Sequence, residues 1–123
     1  MTDMDGARRE LTKLARFMTR WLDGNGLGEW RVIVQLERTA SNRYISRNKR
    51  GCLRMVDKAT GRRCRRLLEY GAGFEDENEA LEHLLRNCWK RLGVSSVAEL
   101  AVRWAVEGEK TVMRDWFDAK ERW

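Results

Sequence analysis

The hydrophobic residues change period partway along this chain, and that change limits the fold more than any other feature. Leu11, Leu14, Ala15, Met18 and Leu22 recur at steps of three and four. That spacing stacks them on one face of a helix running from about Ala7 to Asp23. Trp30, Val32, Val34 and Leu36 then alternate with Arg31, Ile33, Gln35 and Glu37. A period of two predicts a strand with one apolar face. Gly24-Asn25-Gly26-Leu27-Gly28 lies between them and supplies backbone tolerant of the left-handed turn that ends a helix. Proline is absent, which favours unbroken helices and turns built on glycine.

The strand signals continue. From Thr39 to Arg50 no period holds, and the run reads as a long basic loop with Tyr44 and Ile45 as anchors. A hairpin follows: a strand Gly51–Asp57, a turn through Lys58-Ala59-Thr60-Gly61, and a strand Arg62–Tyr70. With Asp57 opposite Arg62, Leu53, Met55, Cys64 and Leu68 point one way. Arg54, Arg63, Arg65 and Leu67 point the other. Gly71-Ala72-Gly73-Phe74 reads as a flexible connection into a second helix, where Asp76 and Glu79 form a capping signature. Ala80, Leu81, Leu84, Leu85, Cys88 and Leu92 make its buried stripe, and Gly93 ends it.

Ser96 with Glu99 opens a third helix whose apolar face is Val97, Leu100, Ala101, Trp104 and Ala105. Gly108 breaks it. A final helix from about Glu109 carries Val112, Met113, Trp116 and Phe117. The expected class is therefore α+β: a three-stranded antiparallel sheet packed by helices in the order α-β-β-β-α, with two further C-terminal helices. One domain of residues 1–123 accommodates this, as a core over 1–93 and a helical extension over 94–123. The apolar faces of the extension must dock on the core or on another molecule, so a homodimer through the C-terminal helices is one expectation.

Charge is concentrated in the middle of the chain. Arg38, Arg43, Arg47, Lys49, Arg50, Arg54, Lys58, Arg62, Arg63, Arg65 and Arg66 face the single acid Asp57, so residues 38–66 carry +10 of a chain whose total is only +6. Everything outside that stretch sums to −4. Such a cluster predicts an anionic partner, nucleic acid or an acidic protein. Arg9, Lys13, Arg16 and Arg20 share the polar face of the first helix, either as a solvated surface or as a second phosphate-facing ridge.

Chemistry is harder to find. The three cysteines, Cys52, Cys64 and Cys88, form no CxxC pair, which argues against a zinc site or a disulfide framework. Free thiols and the lack of a secretory leader or membrane-length apolar run fit a reducing cytoplasm. Cys64 lies among arginines that would lower an exposed thiol's pKa, but a buried strand cysteine explains it better. His83, the only histidine, falls opposite the apolar stripe of its helix and reads as a surface residue able to pair with Glu79. Glu37, Asp57 and Glu69 would have to converge to hold a nuclease metal, and Asp57 is already explained as a turn residue. The Gly71–Gly73 turn does not suit phosphate, because Glu75, Asp76 and Glu77 occupy the helix start. No catalytic residues, metal ligands or cofactors are therefore expected.

The element order over residues 7–92 is similar to that of double-stranded-RNA-binding domains. The similarity is one of order only: those domains begin their last helix with lysines, whereas this helix begins with Glu75, Asp76 and Glu77. Small size, many tryptophans and an absent catalytic grouping also resemble the general character of compact phage-encoded inhibitors such as anti-CRISPR proteins, without a shared motif. The expectation is a non-enzymatic nucleic-acid- or nucleoprotein-binding protein. Its contacts would come from the eleven cations of residues 38–66, with Tyr44 available for stacking. The alternative is a phage-type inhibitor or adaptor that binds a host complex and blocks its nucleic-acid site.

Overall fold

A computed structural model describes residues 6–39 and 47–107. Its elements are α1 (Gly6–Gly24), β1 (Trp30–Arg38), β2 (Lys49–Asp57), β3 (Arg63–Tyr70), α2 (Glu77–Leu92) and α3 (Val97–Glu107). The strands form one antiparallel sheet in the order β1-β2-β3. The α+β arrangement expected from the periodicities is present. The helix expected from Glu109 lies outside the described residues, as do Arg43 and Tyr44.

The period switch places the core. Leu11, Leu14, Met18 and Leu22 of α1 are fully buried, and Val32, Leu53, Met55 and Leu68 meet them from the sheet. Leu81, Leu84, Cys88 and Leu92 of α2 complete the same cluster. Burying each such leucine contributes about 1.5–3 kcal/mol. α1 packs on β1 and on α2, and α2 packs on β2. Both helices therefore lie on the face that carries Val32, Leu53 and Met55.

Local signals set the helix ends. The Asp76 carboxylate accepts from the Asn78 N–H at 2.7 Å and from the Glu79 N–H. These are two of the donors a helix start leaves orphaned. Gly93 closes α2 with φ of 69°, and its N–H donates to Trp89 O. At the start of α3 the Glu99 N–H donates to Ser96 Oγ, while the Glu99 carboxylate accepts from the Ser95 N–H. α3 docks through Leu100, which is buried, and through Trp104, whose ring meets Phe17 edge-on at 5.0 Å. Ala101 and Ala105, expected on the apolar face, are instead exposed. A contact made by Leu100 and Trp104 uses a narrower stripe than the composition of this helix suggests. Val102 and Val106 are also exposed.

Three sequence expectations change. β2 starts at Lys49, so Lys49 and Arg50 are strand rather than loop. Gly51 hid this: it faces the core opposite Leu36 with no side chain to continue the alternation. A Cβ there would lie 3.0 Å from Leu84 Cβ and 3.2 Å from Ala80 O, so close approach of α2 requires glycine.

Residues Gly71–Phe74 are not a flexible connection. Lys49 and Phe74 exchange both backbone hydrogen bonds, and the Gly71 N–H donates to Gly51 O. His83 is not a free surface residue, because its Nδ1 accepts from the Ala72 N–H at 2.9 Å and its ring packs beside Phe74. The imidazole thereby supplies the acceptor that the loop amide of Ala72 would otherwise lack.

Candidate nucleic-acid interface

The hairpin turn forms as its residues dictate. Asp57 Oδ1 accepts from the Ala59 and Thr60 N–H groups at 2.8 and 3.1 Å, and Gly61 adopts φ of 72°. The Asp57 N–H donates to Arg62 O, which fixes the expected pairing of these two residues. Leu53, Met55 and Leu68 accordingly enter the core, and Cys64 packs against it.

β3 is not regular beyond the turn. Val56 pairs with Arg63 and Arg54 with Leu67, leaving Cys64, Arg65 and Arg66 opposite Met55. A second shift, between Leu53 and Arg54, inserts Leu68 and turns it into the core. Such bulges free carbonyls from the ladder. Arg54 takes them up: Nη1 donates to Cys64 O at 2.6 Å, Nε to Gln35 Oε1 at 3.1 Å and Nη2 to Glu37 Oε2 at 3.1 Å. Its side chain is only 14% exposed.

Strand alternation puts Arg31, Ile33, Gln35, Glu37, Arg50, Cys52, Arg54 and Val56 on the face turned away from the helical core. Glu37 is the hub there. It accepts from Arg50 Nε at 2.9 Å and also from Arg50 Nη2. Burial pushes its carboxyl up, but the hydrogen bonds and charges of Arg50 and Arg54 outweigh burial and hold it below the usual carboxylate range. Cys52 is fully buried on this face, and burial pushes its thiol up. Burial also raises Cys64 against the pull of Arg54, and raises Cys88. None of the three is an activated thiolate.

The eleven cations of residues 38–66 thus divide. Arg50 and Arg54 are held by Glu37. Lys49 pairs with Glu77 and Lys58 with Asp23, each at 2.6 Å. Arg62, Arg63 and Arg65 are exposed, and among the described residues no carboxylate lies within ion-pair reach of them. Arg38 and Arg47 stand the same way, at the other end of β1 and just before β2. Arg66 is exposed beside Arg65.

Tyr70 is a residue that the sequence reading passed over. It pairs with Cys52, is 54% exposed, and carries the Arg50 guanidinium 5.0 Å above its ring. Its signal, the alternation Cys52–Arg54 continued onto β3, is broken by the bulges.

The three strand carboxylates have separate tasks. Glu37 binds the arginines, Asp57 the turn, and Glu69 pairs with Arg91 at 3.3 Å. Among the described residues no group of three His, Cys, Asp or Glu is placed to hold a metal ion, and no helix is long and apolar enough to cross a membrane. Compared with known proteins, the chain matches no family model, and neither curated proteins nor solved structures gave a match.

Proposed function

We propose that this chain is a non-enzymatic nucleic-acid- or nucleoprotein-binding protein whose phosphate contacts come from the β2–β3 hairpin. The observation that carries this reading is the division of the cations. Arg62, Arg63 and Arg65 are exposed without a carboxylate among the described residues, whereas Arg50 and Arg54 serve the sheet. Guanidinium groups left free on a hairpin neutralise phosphates and release their counterions. Lys49 and Lys58 can join them, because exposed ion pairs are worth only about 0–1 kcal/mol and are exchanged for phosphate at little cost. Tyr70, with Arg50 on its ring, offers a stacking surface for an unpaired base.

The test is an anisotropy titration of labelled duplex and single-stranded DNA and RNA at two salt concentrations. Binding should weaken steeply with salt, by about 0.7–0.9 in log K per log salt for each phosphate neutralised. The R62E/R63E/R65E variant should bind more weakly and with a shallower salt slope. Absence of binding near physiological salt, or binding that this variant leaves unchanged, would overturn the proposal. A stable protein complex in a pull-down would then favour the inhibitor reading.

A further inference from the structure

Among the described strands β1 lies at the edge of the sheet, and the hydrogen bonds at its two ends show which of its backbone groups face away from β2. The Thr39 N–H donates to Asn48 O, and the Lys58 N–H donates to Glu29 O. Residues 29 and 39 therefore turn their backbone groups toward β2, and by antiparallel alternation so do 31, 33, 35 and 37. The even residues turn theirs to the open edge. Val32 follows this parity, because its N–H donates to Thr19 Oγ1 of α1 at 2.9 Å. α1 satisfies the edge there. Among the described residues nothing takes up the outward N–H and C=O groups of Val34 and Leu36.

Alongside this edge runs a groove of about 910 Å³ between α1 and β1. Its apolar floor includes Ala15, Val32, Val34 and Val97. Arg8, Lys13, Arg16, Arg20 and Arg31 line it, and among the described residues no acid does. Lys13 has a weak partner in Glu10 at 3.4 Å. Arg16, Arg20 and Arg31 are exposed and have no carboxylate partner among the described residues.

We propose that the open edge of β1 and its groove against α1 form a second binding site, which takes an extended acidic segment of another protein as an added strand. The outward backbone groups of Val34 and Leu36, which no described residue takes up, fit a peptide backbone, which has matching donors and acceptors. The five cations fit acidic side chains, and the apolar floor fits the intervening small apolar ones. A nucleic-acid strand fits less well, because among the described residues no aromatic side chain lines the groove to stack a base. A second copy fits less well too, since pairing two β1 edges would bring two sets of five cations together. This site is distinct from the hairpin cations and does not depend on what those bind.

A fluorescein-labelled peptide alternating Glu or Asp with Val or Thr, titrated into the full chain, tests the proposal. Binding is expected. R16E/R20E should weaken it about tenfold or more, and thermal melting should be unchanged because both residues are exposed. R62E/R63E/R65E should leave peptide binding as it was. The same peptide N-methylated on alternate residues should also bind about tenfold more weakly, because it has lost the donors that pair with the edge.

Equal binding of the methylated peptide would show a purely ionic contact and overturn the added strand. No peptide binding, with single-stranded DNA binding lost in R16E/R20E, would assign the groove to nucleic acid instead. A dimer seen in sedimentation that R16E/R20E alters would assign it to a second copy. Each of those results overturns the proposal.

Discussion

Arg54 reaches from β2 to Glu37 on β1, Nη2 to Oε2 at 3.1 Å, while its Nη1 fills the carbonyl of Cys64 that the β3 bulge leaves open. One side chain thus ties all three strands together. Arg63 on β3, which pairs with Val56, is by contrast exposed and unengaged by any described carboxylate. R54A is expected to destabilise the protein by about 2–3 kcal/mol, since it strands a carbonyl and half of a carboxylate's partners. R63A should stay within about 0.5 kcal/mol of the parent and act on binding instead. Urea denaturation of the two variants checks the distinction, and equal costs would refute it.

Glu37 makes the sheet sensitive to acid. Its folded pKa lies below the ordinary value because Arg50 and Arg54 outweigh burial. A depressed carboxyl contributes stability above its unfolded pKa, about 4.3, and loses it as pH falls through the folded value. E37Q should therefore be less stable by about 1 kcal/mol near neutral pH, after screening by solvent. The gap should narrow below about pH 4. Thermal melts of parent and variant across this range test the sign. A gap that widens in acid would be wrong for this network.

Gly51 and Gly24 should respond oppositely to alanine. A Cβ at Gly51 meets Leu84 Cβ at 3.0 Å and Ala80 O at 3.2 Å, so G51A must push α2 from the sheet. The expected cost is about 1–3 kcal/mol. Nothing lies within 4 Å of a Cβ at Gly24, the last residue of α1. G24A is expected to be neutral or to stabilise by about 0.5 kcal/mol through the unfolded chain. Midpoints of chemical denaturation measure both.

Trp104 anchors α3. Its ring stands at 74° to Phe17 with centroids 5.0 Å apart, and it is half-buried. W104A should lower stability by about 2 kcal/mol, less than a fully buried tryptophan loses. Amide exchange in residues 97–107 should rise with it. Unchanged exchange would mean that Leu100 alone holds the helix.

Much of this architecture was legible because side-chain period is a local property. The steps of three and four in α1 and α2, the alternation in β1, and the caps at Asp76, Gly93 and Ser96 each report on a few neighbouring residues. The pairing of Asp57 with Arg62 at the turn was legible for the same reason, since Asp57 and Gly61 determine their own turn, but the bulges of β3 beyond it were not. Legibility failed where a neighbour distant in sequence decides the outcome. Gly51 and Gly71 look like breaks until α2 is laid against them. His83 looks exposed until the Ala72 amide reaches it. Arg54 cannot be told from Arg63 by sequence, because only the bulge and Glu37 separate them.

By itself the sequence determined the element types, the apolar faces and the concentration of positive charge, all of which follow from spacing and composition. Tertiary structure alone decided which of those charges remain free. A guanidinium's availability depends on which carboxylates and carbonyls come within about 3 Å of it, and strand pairing sets that across residues 37, 54 and 64 that no local pattern connects.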